Sequence, residues 1–484
     1  MRAGVIPVPE QIDASCPILP AIGKMLIRPA GMALLCALMP TAMLAGTAPA
    51  RSETLKQALA AAYMNNPELR AERARQRATD ESVPQALSGR RPSVAISGDL
   101  GRSRSKSFTI GGTSRNTSDP RGYGVSVSQP LFSGFRTLNN TKSAEATVLA
   151  GREALLNVEQ NIILDAITAY VDVVRDAAIL KLRNNNVSVL NEQLRSTRAR
   201  FDVGELTRTD VAQARARRSG AISQRDQAAA DLASSRAVYK RIIGRAPGSL
   251  RYPRSIAAKL PRSRKVAYDV ALSEHPGIQA ALYNEQAANF NIKATRGELY
   301  PSVSLNGEYS RRWEPSSTVR KTKSASITGR ITIPIYQSGS VYSRVRQAKH
   351  TRAQRALELD NIRNQVLAAT SSAWSGLIAA RAQIVSSQEQ VRASRIALNG
   401  VREEAKVGQR TTLDVLDAQQ ELLDARVSLV VAERAATVAS YSLLSAIGRL
   451  NARHLGLPVP YYDPTVNYRR VRNKWFGAKT RKND

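Results

Sequence analysis

Polar and apolar side chains alternate residue by residue in four stretches of the chain. In SVAISGDL (93–100), Val94, Ile96 and Leu100 fall on one face and Ser93, Ala95, Ser97 and Asp99 on the other. SVSLNGEY (302–309) repeats this, with Val303, Leu305 and Tyr309 against Ser302, Ser304, Asn306 and Glu308. Further along, Tyr123, Val125 and Val127 oppose Gly124, Ser126 and Ser128, while Ile331, Ile333 and Ile335 oppose Arg330 and Thr332. A period of two predicts strands with one apolar and one polar face, joined within each pair by a Gly/Ser/Thr/basic linker.

Long helices are predicted next. The chain has 22 prolines, yet none between 131 and 246 or between 335 and 457. An interior proline costs a helix about 3 kcal/mol, so such gaps suit uninterrupted helices. A helix from about 135 to 203 would be on the order of 100 Å long. Near its end Val187, Leu190, Leu194 and Phe201 form a narrow coiled-coil seam, and Val391, Leu398, Val401 and Ala405 keep the same frame later.

These patterns occur twice. VGELTRTDV (203–211) returns as VGQRTTLDV (407–415), an offset of 407 − 203 = 204. Ala169-Tyr170 returns as Ala373-Trp374 and IIGR (242–245) as AIGR (446–449) at that offset. NNPEL (65–69) parallels EHPGI (274–278) at 276 − 67 = 209, so the first copy has a different loop length. Units of this size are a doubled domain rather than a solenoid array. The expected division is repeat 1 over 51–246, an inter-repeat equatorial segment over 247–265, repeat 2 over 266–450 and a basic tail over 451–484. Each repeat holds a helix, two strands and a helical hairpin. Gly204 and Gly408 end the long helices at the hairpin turns. Thr207-x-x-Asp210 and Thr411-x-x-Asp414 open the next helices with capping-box spacing.

Composition sets the compartment. Lys24 and Arg28 precede the apolar run AGMALLCALMPTAMLAG (30–46), and Ala48-Pro49-Ala50 supplies a small-residue exit. Residues 1–50 therefore read as a secretory signal peptide, with Met25 as an alternative start. Its removal would take both cysteines, Cys16 and Cys36, and with them disulfides, thiolate metal sites and a lipidated N-terminal cysteine. Export also turns the net charge of +32 away from nucleic acid. Four amphipathic strands cannot stand in a bilayer with open edges, and the smallest ordinary barrels have about eight strands. Two or three chains could close one. The competing arrangement is a soluble antiparallel sheet on a helical core.

The order helix–strand–strand–long helix–turn–helix, written twice, with VGxxTxxDV at both turns and LDVLDA at 413–418, resembles the TolC outer-membrane efflux protein family over about residues 53 to 450. The resemblance implies a mostly α fold with a small membrane β-barrel: a homotrimer with a twelve-stranded barrel over a long α-helical periplasmic tunnel. It implies a passive outer-membrane exit duct for drug efflux or type I protein secretion. Its partners would be a periplasmic adaptor, an inner-membrane RND or ABC transporter and outer-membrane lipid, with no nucleic acid. By the family's motifs, Thr209, Asp210, Arg410, Asp414 and Asp417 are the periplasmic aperture residues. The family often has an aromatic partner five residues before the arginine, and here that position is Ala405. Closure would then rest more on Arg410.

Several of these residues have a simpler use. Asp210 and Asp414 are placed to cap helices, which is compatible with gating; Asp417 lies a turn further in and is not a cap. Asp414, Asp417, Glu421 and Asp424 form an acidic stripe absent from the first repeat, and for Glu421 and Asp424 a solvated face is the favoured reading. In a trimer Asp414 and Asp417 would ring a narrow mouth, where like charges raise each other's pKa and draw cations. The histidines, His275, His350 and His454, are scattered and form no ligand motif. His275 stands where the first repeat has a helix-starting Asn. No phosphate loop, nucleophile elbow or cofactor motif is present, so no enzyme and no cofactor is expected. The rival to a channel is a soluble, basic periplasmic coiled-coil scaffold that binds polyanions.

Overall fold

The computed structural model describes residues 53–253 and 256–480. The signal-peptide reading, with Met25 and both cysteines, lies outside these residues. Repeat 1 opens with α1 (Leu55–Asn65), α2 (Pro67–Asp80) and α3 (Ser82–Ser88), then β1 (Ser93–Leu100), β2 (Ser103–Thr109), β3 (Gly112–Ser118) and β4 (Arg121–Ser133). The hairpin α4 (Arg136–Asp202) and α5 (Arg208–Ile243) follows. Repeat 2 runs α6 (Arg264–Glu274), α7 (Pro276–Arg296), β5 (Ser302–Ser316), β6 (Val319–Thr332), α8 (Ser340–Lys406) and α9 (Thr412–Ala446). Two short helices, α10 (Ala452–Leu455) and α11 (Thr465–Val471), end the chain.

The expected long helices are present: α4 and α8 each run for 67 residues, about 100 Å. One expectation fails. Repeat 1 holds four strands where two were expected, because its linker folds as a second hairpin, β2 paired with β3 from Ser103↔Ser118 to Thr109↔Gly112. Its strands, SRSKSFT and GTSRNTS, have no apolar face, so alternation could not reveal them. In repeat 2 the same linker shrinks to a tight turn between Ser316 and Val319. This hairpin is why the offset is 209 before the strands and 204 after them.

The main sheet is antiparallel in the order β1-β4-β5-β6, so the two repeats join through β4 and β5. Register places Ile96 opposite Val125, Val125 opposite Tyr309 and Tyr309 opposite Ala325. That face is bare: Ile96 is 79% and Ile327 82% exposed. The opposite face carries the polar row Ser93, Ser128, Asn306 and Thr328, with Ser128 Oγ 2.8 Å from Asn306 Oδ1.

The core lies mid-way along the long helices, where α1, α6 and α10 pack around them. Ile163, Ile167 and Tyr170 meet Tyr239 and Ile243 from α5 and Leu443, Leu444 and Ile447 from the end of α9. The repeated Ile-Gly-Arg ends each hairpin there. Gly244 and Gly448 take the left-handed conformation at φ +87° and +83°. Arg245 then pairs with Glu53 at 2.6 Å and Arg449 with Glu274 at 2.6 and 2.7 Å. Nearby, Asn66 caps α2 by accepting from Glu68 N–H at 2.9 Å, and His275 Nδ1 caps α7 by accepting from Gly277 N–H at 3.1 Å. The repeated Asn/His-Pro is therefore a cap followed by proline at the first helical position.

Candidate functional site at the hairpin tips

Far from the sheet, α4 and α8 turn back into α5 and α9 through nearly identical loops. Gly204 has φ +85° and Gly408 φ +78°, and a Cβ on either would meet nothing within 4 Å. Glycine is needed there for its backbone alone. The Glu205 N–H donates to Arg200 O and the Gln409 N–H to Glu404 O, each at 2.9 Å, closing the helix ends. Thr207 and Asp210 then form a full capping box: the threonine N–H and hydroxyl donate to Asp210 Oδ2 at 2.9 and 2.7 Å. Thr411 and Asp414 repeat it at 2.9 and 2.8 Å. The capping expectation holds at both turns.

These contacts set the charge at the tips. Hydrogen bonds from the Thr207 hydroxyl and N–H hold the Asp210 carboxyl below its ordinary pKa. The Thr411 N–H and hydroxyl do the same for Asp414, helped by the nearby Arg410 charge. Within one chain the shift is thus downward, opposite to the effect expected of a crowded ring. An arginine–glutamate staple ties each loop to its helix, with the charges exchanged: Arg200 on α4 holds Glu205 at 2.9 Å, and Glu404 on α8 holds Arg410 at 2.8 Å. Thr209 sits exposed on the first turn of α5. Arg410 therefore meets Glu404 within the chain, rather than Thr209 or Asp210.

Asp417 is also engaged. Arg217 on α5 donates Nη2 to its Oδ1 at 2.5 Å, linking the repeats just above the tips. Two more ion pairs continue upward between α4 and α9: Arg183–Asp424 at 3.8 Å and Arg434–Asp172 at 2.8 Å. Asp424 is thus part of an inter-repeat contact as well as half exposed, while Glu421 stays on an exposed face. Sequence reading missed Arg217, Arg183 and Arg434, because only the fold shows which helix faces which. Between the pairs, Val187, Leu190, Ala221 and Leu416 form one small apolar cluster and Val391, Leu398, Leu422 and Ala425 another. Phe201, assigned to the seam, is instead 36% exposed near the tip.

A family model for outer membrane efflux proteins matches residues 58–245 and 267–449. The chain belongs to that family. The outer membrane efflux protein BepC of Brucella suis is 44% identical over 432 residues, spanning 89% of this chain and 93% of that protein. Outer membrane protein TolC of Escherichia coli is 24% identical over 84% of each chain. The fold is that of the Campylobacter jejuni CmeC outer membrane channel, with a TM-score of 0.73 over 87% of this chain and 89% of that one.

As an outer membrane efflux protein, the chain is an outer-membrane channel with its helices in the periplasm, serving as a duct in efflux or secretion. Its relatives are channel proteins, and the soluble-scaffold reading gives way. The bare apolar sheet face suits lipid and the Ser/Asn/Thr face suits water. Helix α9 is, by length and composition alone, apolar enough to cross a membrane. It begins with two aspartates and carries Arg434 paired to Asp172, which suits a tunnel wall better.

Proposed function

We propose that three copies of the chain close a twelve-stranded barrel and a helical tunnel whose periplasmic mouth is built by Arg410, Thr209, Asp210, Asp414 and Asp417. One observation carries this: among the described residues the sheet is open, with β1 and β6 as unpaired edges. Inside the chain, the last strand of repeat 1, β4, pairs with the first strand of repeat 2, β5. Continuing the same step pairs β6 with β1 of the next copy and leaves no edge in lipid. The outer helix supports it too. Leu357, Ile378, Val385 and Ile396 are exposed on α8 at intervals of 21, 7 and 11 residues, a seam awaiting a partner helix.

In this reading residues 51–246 and 266–450 are the two repeats, linked by 247–265. At the mouth, the Arg410 guanidinium has further nitrogens that can reach Thr209 or Asp210 of a neighbouring copy while Nε stays on Glu404. A ring of Asp414 carboxylates would draw cations. A periplasmic adaptor and an inner-membrane RND or ABC transporter would deliver cargo. Relatives whose names refer to toluene efflux and to alkaline protease secretion support both cargo classes. The detergent-solubilised particle should have the mass of three chains; a detergent-free monomer would refute the closure. In bilayer recordings Asp414→Asn should lower cation preference more than Asp417→Asn, whose charge Arg217 already balances. Arg410→Ser should raise single-channel conductance. Unchanged selectivity and conductance would remove these residues from the mouth.

A further inference from the structure

The chain beyond residue 449 lies outside the family match, yet repeat 1 holds it residue by residue. Asn467 donates Nδ2 to Asp80 at 2.9 Å, in the interior. The Arg152 guanidinium lies 5.1 Å from the Tyr468 ring. Arg472 Nη2 donates to Glu145 Oε1 at 3.1 Å. Glu145 lies nearer the sheet than Arg152 on α4, so the tail climbs that helix toward the strands. At the top, Arg91 Nη1 donates to Lys474 O at 2.7 Å, and its guanidinium lies 4.9 Å from the Trp475 ring. Arg91 stands two residues before β1. The fold thus fixes Trp475 at the level where the strands leave the periplasm.

Among the described residues the aromatic pair formed there stands largely open. Trp475 is 58% and Phe476 88% exposed, with ring centroids 6.5 Å apart. Beside them stand Arg91, Lys474 and Lys479, and residues 473–480 contain no acid. Exposed aromatic rings beside lysine and arginine match the boundary between acyl chains and phosphates. The patch lies at the end of the strands where the bare apolar sheet face also begins. At the same end of the strands Phe132, Phe135 and Tyr300 stack edge to face at 5.1 and 6.4 Å, and Tyr336 is exposed.

We infer that residues 474–479 are a membrane-interface anchor: Trp475 and Phe476 enter the inner leaflet of the outer membrane, and Arg91, Lys474 and Lys479 meet phospholipid phosphates. The inference rests on the strands lying in the bilayer. The test is the full chain carrying Trp313→Phe and Trp374→Phe, with Trp475 as sole tryptophan. It is reconstituted in vesicles of phosphatidylethanolamine and phosphatidylglycerol brominated near the headgroup end of the acyl chain. Trp475 fluorescence should fall about twofold against unbrominated vesicles. A companion with Trp475→Phe and Tyr309→Trp reports on the lipid-facing strand. Quenching at 309 with none at 475 overturns the anchor and leaves the channel intact; quenching at neither position overturns both. Should the multiple substitutions impair folding, quenching of the wild-type chain minus that of Trp475→Phe gives the same signal, and a zero difference is equally fatal.

Discussion

Tyr170 in repeat 1 is fully buried, its hydroxyl 2.7 Å from the Arg251 carbonyl and 2.9 Å from that of Glu53. Its counterpart 204 residues on, Trp374, is only partly buried against the same core. The contrast extends along both hairpins. Helix α4 packs on α1, α2, α3, α5, α7 and α9, whereas α8 packs on α6, α7 and α9 and keeps an apolar stripe exposed. At the strand-to-helix joints, two left-handed residues occur in both copies, as Gly134-Phe135 and Ser338-Gly339. A Cβ at 134 would come within 2.2 Å of the Gly297 carbonyl oxygen, so glycine is required there. Ser338 carries a side chain at the matching place. Repeat 1 finds its neighbours within the chain; the equivalent surfaces of repeat 2 are left exposed, free to meet the next copy in the proposed trimer. One duplicated backbone thus packs inside the chain in one copy and stays bare in the other, and the side chains have diverged accordingly.

The helix-end glycines offer the largest way to break this comparison. Both occupy left-handed backbone, which costs a non-glycine residue about 1–2 kcal/mol. At Gly448 an added Cβ would also lie 2.7 Å from His275 Cα, a backbone atom, whereas at Gly244 the nearest atom is Asn65 Cβ at 3.5 Å. Gly448→Ala should therefore cost about 3 kcal/mol and Gly244→Ala about 1 kcal/mol. Denaturant unfolding followed by circular dichroism measures both. Equal losses would mean that repeat 2 yields at this junction as easily as repeat 1.

A smaller effect is expected from the ion pairs between repeats. Arg434 and Asp172 are each about one-quarter exposed and meet through two nitrogens at 2.8 and 3.4 Å. Arg217 and Asp417 are about half exposed. Removing Arg434 leaves a half-buried carboxylate with Arg175 alone, so Arg434→Ala should cost about 2 kcal/mol. Arg217→Ala should cost less than about 1 kcal/mol and lose that effect in high salt. If the two variants prove equally mild, the upper pair does not lock the repeats together.

Much of this architecture was legible because its signals are periodic and local. Alternation gave the four sheet strands, the first proline-free run gave α4 to within a residue at each end, and Gly-x-x-Thr-x-x-Asp gave the tips. What escaped was non-local or lacked contrast. The β2–β3 ribbon has polar residues on both faces, so period two carries no signal there. Arg217 and Arg434 read as solvated basic residues, since their acids are 200 and 262 positions away. The tail reads as charge alone until Arg91 is seen beneath Trp475. The shared turn motif also concealed the exchanged Arg–Glu staples, because Arg200 and Glu404 lie outside it.

The finest test concerns the helix caps, where repeat 1 uses Asn66 and repeat 2 uses His275. Burial holds the His275 pKa below its ordinary value. Its Nδ1 must also remain unprotonated to accept from the Gly277 N–H. Above about pH 7 the imidazole is neutral in both folded and unfolded chains, so it adds no pH dependence. As the pH falls through about 6.5, the unfolded chain takes up a proton that the folded chain resists, and stability declines. His275→Asn installs the cap of the other repeat and removes this titration. Stability against pH should then be flatter for the variant between about pH 7 and 5, the curves differing by less than about 1 kcal/mol. His454, whose pKa is lowered first by burial and then by Lys259 and Arg449, titrates in the same sense in both proteins and cancels in the difference. Parallel curves would mean that the histidine caps α7 without sensing protons.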